Sequence, residues 1–150
     1  MKKLLFVILF CFLSAPSYAA YYGPFGLIAP IAIDGDTIRA DVPVWPHVSI
    51  DASIRVIGVD TPELTSSAGC VTKEENDAIK AAALAAKAFT ESWINRNSPI
   101  VIGNVRPDSY SGRYDAVVTG ANGERLSDAL IQSGHGRKYN GGKRQTWCKP

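Results

Sequence analysis

The sequence has few of the patterns on which common catalytic sites are built. Its two histidines, His47 and His135, are isolated in the sequence, and a histidine that acts as a base or metal ligand needs a nearby partner. The chain contains no Gly-x-Ser-x-Gly, and residues 141–144 lack the spacing and the preceding strand of a P-loop. These absences argue against a histidine-centred site, a serine hydrolase and a P-loop protein.

The chain also has no apolar run long enough to span a membrane. Its longest run, residues 4–13, falls short of the ~20 apolar residues that a spanning helix needs. The run follows two lysines at the N-terminus and precedes Ser17 and Ala19, small residues that suit signal peptidase. We therefore predict a signal peptide over residues 1–19 in preference to a membrane anchor. The mature chain is then exported and has no stable membrane association.

The mature chain has no excess of positive charge. Removing residues 1–19 takes away two lysines and no acids, so 16 Lys and Arg become 14, against 14 Asp and Glu. The formal net charge of the mature chain is then zero. A nucleic-acid partner would have to be held by a local basic patch, since no general positive field attracts a polyanion.

Cysteine is scarce as well. Of three cysteines, Cys11 leaves with the signal peptide, and Cys70 and Cys148 remain. An even pair in an exported chain is most simply a disulfide, which on the chain-entropy model stabilises the fold by about 4–5 kcal/mol. Two free thiols are the alternative, and an oxidising compartment disfavours them. A zinc site is also disfavoured, because neither cysteine has a partner at zinc-ligand spacing.

The secondary-structure signals indicate one domain without internal repeats. Apolar segments bounded by turn residues predict five strands, over residues 27–33, 37–44, 48–59, 99–105 and 114–119. A capping box at residues 72–75 and apolar residues at helical spacing predict a long helix over residues 72–95. A short helix is predicted over residues 126–133, ended by Gly134.

This order of elements predicts the fold class. We expect an α+β domain over residues 27–150, after a flexible lead-in at residues 20–26. Its core would be a five-stranded OB-type β-barrel, with one long helix after strand three and a short helix after strand five. Such a barrel commonly binds oligonucleotides on its face. A parallel α/β fold is disfavoured, because only one long helix interrupts the strands.

Most of the candidate chemistry lies in residues 33–64. Asp36 follows a turn, and Asp60 ends a predicted strand. Carboxylates are hard oxygen ligands that suit Ca²⁺ or Mg²⁺ rather than zinc. Glu63 follows the rigid Pro62 and is placed to orient or deprotonate a water molecule. Arg55 lies between the two acidic motifs and offers a planar donor fork that matches phosphate oxygens.

Each of these motifs taken singly has an ordinary structural interpretation. Asp-Gly-Asp-Thr also occurs as a simple hairpin turn, and Asp-Thr-Pro-Glu as a helix start or a loop. A buried strand arginine is more often part of a structural ion pair than of a catalytic site. Four tail cations are either a solvated surface or a phosphate-contacting patch: Arg137, Lys138, Lys143 and Arg144.

The order of the motifs is more specific than any one of them. Ile-Asp-Gly-Asp-Thr, an arginine five residues before Asp-Thr-Pro-Glu, and Tyr-Ser-Gly-Arg at residues 110–113 before a strand closely resemble the staphylococcal nuclease family. The resemblance covers residues 28–139. It departs from the family pattern after Gly134, where a cysteine-bearing tail replaces a long final helix.

The resemblance implies an activity and a set of site residues. It implies an OB-type barrel that cleaves DNA and RNA with Ca²⁺, with Asp36 and Asp60 as carboxylate ligands and the Thr61 carbonyl as a third. Glu63 would be the general base or water-orienting group. Arg55 and Arg113 would clamp the phosphate and stabilise negative charge in the transition state. Two tyrosines, Tyr110 and Tyr139, would line the nucleotide pocket.

We therefore expect a periplasmic or secreted, monomeric, Ca²⁺-dependent nuclease with little sequence specificity. Single-stranded or locally unpaired DNA and RNA would be its preferred partners. One alternative is an OB-fold domain that binds single-stranded nucleic acid or a protein without catalysis. A second alternative is an exported domain that Ca²⁺ only stabilises.

Overall fold

The computed structural model describes residues 22–64, 70 and 72–148. Its elements in chain order are β1 (Phe25–Gly26), β2 (Ile28–Ala32), β3 (Thr37–Trp45), β4 (Val48–Val56), β5 (Gly58–Asp60), α1 (Lys73–Asn97), β6 (Val101–Pro107), β7 (Arg113–Thr119), α2 (Leu126–Gln132) and β8 (Arg137–Tyr139). The predicted signal peptide, residues 1–19, lies outside the described residues. Among those described, no helix has the length and apolar character needed to cross a membrane.

Six strands form the main sheet, in the order β1-β6-β7-β4-β3-β2. The two edge strands, β1 and β2, are separated along the chain only by Leu27, whose N–H donates to the carbonyl of Ile100 at 2.9 Å. The sheet must therefore curl until its edges nearly meet. This nearly closed, mixed barrel with two helices is compatible with the predicted OB-type fold.

The predicted count of five barrel strands is wrong, because the sheet has six. The additional strand is β1, which pairs antiparallel with β6 through Phe25 opposite Ile102. These residues fall within the predicted lead-in at 20–26. A segment of two residues, one of them glycine, is too short to show the alternation of apolar and polar residues that predicts a strand. It is a strand only because it pairs with β6.

A second, two-stranded sheet joins β5 to β8. The predicted strand over residues 48–59 is divided after Val56, because the chain turns at Ile57 and Gly58 has a φ of 96°, a conformation that favours glycine. The new direction brings β5 against the C-terminal tail, with Asp60 opposite Arg137. The tail therefore becomes part of the fold next to Asp60.

The two helices cover the barrel. The long helix begins as predicted, since the Thr72 hydroxyl accepts a hydrogen bond from Glu75 N at 3.1 Å. Its small residues Ala83 and Ala86 are completely buried, and Trp93 belongs to the core. Small side chains at these positions let the helix lie close to the barrel, and close to the turn between β2 and β3.

Candidate functional site

The turn between β2 and β3 carries Asp36 and is held from two sides. The side chain of Asp34 accepts a hydrogen bond from Asp36 N at 3.1 Å, as is typical of Asp in turns. Helix α1 holds the other side, since Thr90 Oγ1 donates to the Gly35 carbonyl at 2.6 Å. A Cβ on Gly35 would lie only 2.7 Å from the Cβ of Ala86. The turn therefore needs a glycine to pack against the helix.

The end of β5 brings a second acidic motif to this turn. Thr61 N donates to Asp36 Oδ2 at 3.0 Å, and Val56 N donates to the Asp36 carbonyl at 2.9 Å. The two aspartates are almost inaccessible to solvent, with Asp36 0% and Asp60 2% exposed. The two motifs, 24 residues apart in sequence, thus form one buried cluster.

Arg55 lies at the centre of this cluster. Its Nη2 is 2.8 Å from Asp36 Oδ2 and 3.5 Å from Asp60 Oδ1, and its Nη1 is 3.5 Å from Glu63 Oε1. Arg55 itself is buried. Its Nη2 lies within ion-pair distance of both aspartates, but the geometry of these contacts is not that of a hydrogen bond. The structure therefore brings together four of the residues that the sequence singled out.

Burial dominates the electrostatics of Asp36. Removal from water disfavours the charged carboxylate and raises the pKa of Asp36 to about 7, against the opposing attraction of Arg55. The negative charge of Asp34 raises this pKa further, and the hydrogen bond from Thr61 lowers it. A carboxylate in such a position is stabilised in its charged form by any additional nearby cation.

Three tail residues that the sequence analysis did not place in the site contact the same acids. Arg137 Nη2 lies 3.2 Å from Asp60 Oδ2, and Trp147 Nε1 donates to the same oxygen at 3.2 Å. Arg144 Nη1 lies 2.5 Å from Glu63 Oε1, and its Nε lies 3.5 Å from Asp60 Oδ1. Neither arginine is simply a solvated cation. No local sequence pattern indicates these contacts, which join residues 77 to 87 positions apart.

The Cys70–Cys148 disulfide closes this arrangement. The two sulfur atoms are bonded across a separation of 78 residues, as predicted from the even cysteine pair. Cys70 lies just before α1, where its carbonyl accepts a hydrogen bond from Asn76 Nδ2 at 3.2 Å. The tail is thereby attached next to the helix that supports the Asp36 turn.

The donor atoms of the cluster suit a hard cation. Proteins bind Ca²⁺ through carboxylate and carbonyl oxygens, which Asp36, Asp60 and Thr61 supply. Asp60 Oδ1 is a buried acceptor that receives no hydrogen bond from the described part of the chain. Within that part, no three His, Cys, Asp or Glu side chains form a metal-binding group, and arginines contact the acids instead. The two carboxylates are donors of the type that Ca²⁺ takes in proteins.

Arg113 lies beside the cluster rather than in it. It begins β7 opposite Ser53 in a parallel pair, so its side chain shares a face with that of Arg55, two residues further along β4. Its Nε lies 2.5 Å from Asp108 Oδ2, and its guanidinium stacks 4.5 Å from the centre of the Tyr110 ring. Among the described residues, its only ion pair is with Asp108.

A cavity of about 400 Å³ adjoins the cluster and connects these groups. Its lining includes Arg55, Arg113, Arg144, Tyr110 and Tyr139. Arg106 lines it too, so the cavity is bordered by four arginine side chains and two tyrosine rings. Such groups can bind phosphate oxygens and stack on bases.

The two candidate tyrosines differ in their surroundings. Tyr110 is 67% exposed beside Arg113. Tyr139 ends β8, and its hydroxyl donates to the Gly142 carbonyl at 2.7 Å. Both rings line the cavity, and among the described residues only the Tyr139 hydroxyl of these two tyrosines forms a hydrogen bond.

No protein-family model matches the chain, and no curated protein matches it. The resemblance to staphylococcal nuclease therefore rests on the motifs themselves.

Proposed function

We propose that this chain is an exported, Ca²⁺-dependent nuclease that hydrolyses DNA and RNA phosphodiester bonds with little sequence specificity. The observation that carries the proposal is the convergence of Asp36, Asp60 and Glu63 on Arg55. This cluster adjoins a cavity lined by Arg55 and Arg113. Hard oxygen donors, a further carboxylate and two phosphate-binding side chains are the groups that metal-assisted phosphodiester hydrolysis requires.

Each residue has a distinct task in this reaction. Asp36, Asp60 and the Thr61 carbonyl would hold Ca²⁺, which supplies charge stabilisation at the phosphate when bound. Glu63 accepts a proton from the attacking water as the water oxygen bonds to phosphorus. The bond from phosphorus to the 5′-oxygen breaks, and this oxygen takes a proton from solvent, which gives a 5′-hydroxyl and a 3′-phosphate product. Arg55 and Arg113 donate to the phosphate oxygens as negative charge increases. The residues named contain no nucleophile of their own, so charge stabilisation has to provide most of the rate enhancement.

The site residues named here contact phosphates or stack on bases, and none of them is proposed to recognise a particular base. We therefore expect little sequence preference. Contacts to phosphate and stacking on aromatic rings are the same for every base. Stacking on Tyr110 or Tyr139 requires an unpaired base, which favours single-stranded or locally unpaired DNA and RNA. The disulfide supports an oxidising compartment, and hence the periplasm or the extracellular medium. We propose that the protein acts as a monomer, because the site residues all come from one chain.

A cleavage assay tests the proposal. The mature protein is incubated with denatured DNA or RNA, with Ca²⁺ or with a chelator, alongside the variant Glu63→Gln. We expect cleavage that the chelator abolishes and that Glu63→Gln lowers by at least about a hundredfold, as is typical for loss of a general base. Intact substrate, or cleavage that neither change affects, would refute the proposal.

A second candidate is a barrel that binds single strands without cleaving them. It is favoured by the pairing of Arg137 and Arg144 with Asp60 and Glu63, because these cations already neutralise the acids. In that case the cavity would still bind phosphate through Arg113. Tight binding of single-stranded DNA with no product after long incubation would support this function over hydrolysis.

A further inference from the structure

The C-terminal tail is held against the acidic cluster by several independent contacts. Arg137 donates to the carbonyl of Thr146 at 2.8 Å and to that of Gln145. Its guanidinium also lies 3.9 Å from the centre of the Trp147 ring. The next residue, Cys148, is bonded to Cys70. Residues 145–148 are therefore fixed at both the backbone and the side chains.

This fixed segment places Arg144 over Glu63. Arg144 Nη1 lies 2.5 Å from Glu63 Oε1, whereas Arg55 reaches the same oxygen only at 3.5 Å. Glu63 is partly exposed, with 30% of its side chain accessible. It therefore depends on such contacts for a defined position. The contacts of Glu63 within the described chain all involve Oε1, which leaves Oε2 for a water molecule.

We propose that Arg144 is a positioning residue for Glu63, and that the Cys70–Cys148 disulfide keeps it in place. The inference rests on the proposed nuclease function and adds the tail to its machinery. Arg144 fixes one carboxylate oxygen of Glu63 so that the other is directed at the attacking water. The Nε of the same guanidinium lies 3.5 Å from Asp60 Oδ1, so Arg144 also forms an ion pair with Asp60. A planar fork can contact two carboxylates at once, which a single ammonium group does less well.

Kinetics of tail variants test the positioning role. Arg144→Gln removes the guanidinium, Arg144→Lys keeps the charge, and Lys143→Gln removes a neighbouring exposed charge as a matched control. We expect Arg144→Gln to lower kcat by about ten- to a hundredfold with little change in KM, which is the size expected for losing one charge-assisted hydrogen bond. Arg144→Lys, or guanidinium ion added to Arg144→Gln, should restore part of kcat. Lys143→Gln should stay within about twofold of wild type, as expected for an exposed surface change.

Other kinetic outcomes overturn the inference. A higher KM with unchanged kcat would show that Arg144 binds substrate instead of positioning Glu63. Equal kinetics for Arg144→Gln and Lys143→Gln would refute the positioning role alone, whereas an inactive wild-type protein would refute the nuclease proposal as well.

The role of the disulfide is tested by reduction. Dithiothreitol supplies two electrons and two protons, converts Cys70 and Cys148 to thiols, and becomes a cyclic disulfide. We expect reduction to lower kcat of the wild type but to have little further effect on Arg144→Gln, because the two changes remove the same contact. Release of the tail should also shift the emission of Trp147 and expose the bond after Arg144 to trypsin.

Two controls make the result of the reduction experiment unambiguous. The emission change should be absent in Trp147→Phe, which assigns it to the tail and not to Trp45 or Trp93. An unchanged emission spectrum and unchanged trypsin resistance after complete reduction would refute the anchoring role of the disulfide. The Arg144 variants keep the disulfide, so they test positioning even if the reduced protein unfolds.

Discussion

Thr90 Oγ1, in the buried face of α1, donates a 2.6 Å hydrogen bond to the carbonyl of Gly35. Gly35 lies in the turn that carries Asp36. The long helix therefore does more than cover the barrel, since it also fixes the position of a candidate metal ligand. The support and the ligand are 54 residues apart in sequence, which is why the helical pattern alone does not predict this contact.

Replacing this hydroxyl tests the support. Thr90→Val keeps the shape of the side chain but leaves the buried Gly35 carbonyl without its donor, which should cost about 1–3 kcal/mol of unfolding free energy. Thr90→Ser keeps the hydroxyl and should lose less. Urea unfolding of both variants measures the difference, and a Thr90→Val protein as stable as Thr90→Ser would show that the hydrogen bond contributes little.

Adding a methyl group to the turn tests its packing. In Gly35→Ala the new Cβ would meet the side chains of Ala86 and Thr61, each at 2.7 Å, so the turn has to move away from α1. We expect a loss of about 1–3 kcal/mol in unfolding free energy, as for other overpacked sites, together with weaker Ca²⁺ binding. Gly26→Ala is the control, because a Cβ there meets nothing within 4 Å. Equal stability of the two variants would contradict this account.

Calcium binding can be measured without substrate. A ligand that binds only the folded state raises its stability, by about 2.7 kcal/mol at a hundredfold excess over Kd. We expect Ca²⁺ to raise the Tm of the wild type, and Asp60→Asn to abolish that increase. Asp51→Asn is the control, because this exposed acid pairs with Arg39. An unchanged Ca²⁺ effect in Asp60→Asn would rule out Asp60 as a ligand.

The pair of Asp108 and Arg113 predicts a pH dependence of stability. Burial raises the pKa of Asp108, but hydrogen bonds from Arg113, Ser109 and Tyr110 outweigh it and lower the pKa from 3.8 to about 2. The folded state thus binds this proton less tightly than the unfolded state. The stabilisation is present above pH 3.8 and is lost as the pH falls towards 2.

Urea unfolding between pH 5 and pH 2 measures this contribution, with the pH range set by the ordinary and lowered pKa of Asp108. Asp108→Asn cannot titrate and should show a smaller loss of stability over the range. Asp77→Asn, at an exposed acid of α1, should behave like the wild type. A pH profile that Asp108→Asn leaves unaltered would mean that the ion pair does not contribute.

Much of the local structure was predictable because its causes are local. The helix start depends on Thr72 and Glu75, three residues apart, and the structure confirms it. The turn at Asp34 likewise follows from a side chain that bonds the backbone two residues on. The disulfide was predictable because Cys70 and Cys148 are the two cysteines outside the predicted signal peptide and allow only one intramolecular pair, and the structure confirms it. Strand β1 was missed, since its two residues become a strand only through β6.

The sequence by itself determined the α+β class, the order of the longer strands and the two helices, and the motifs that carry Asp36, Arg55, Asp60 and Glu63, because alternation, capping and turn chemistry act over a few residues. Only the tertiary structure decided which cations meet these acids. The bend at Gly58 directs β5 towards the tail, and the disulfide holds the tail there. Arg144 therefore reaches Glu63 across 81 residues, while Arg113 pairs with Asp108. An acid can form an ion pair with any arginine that comes close enough, so the folded structure determines which arginine becomes its partner.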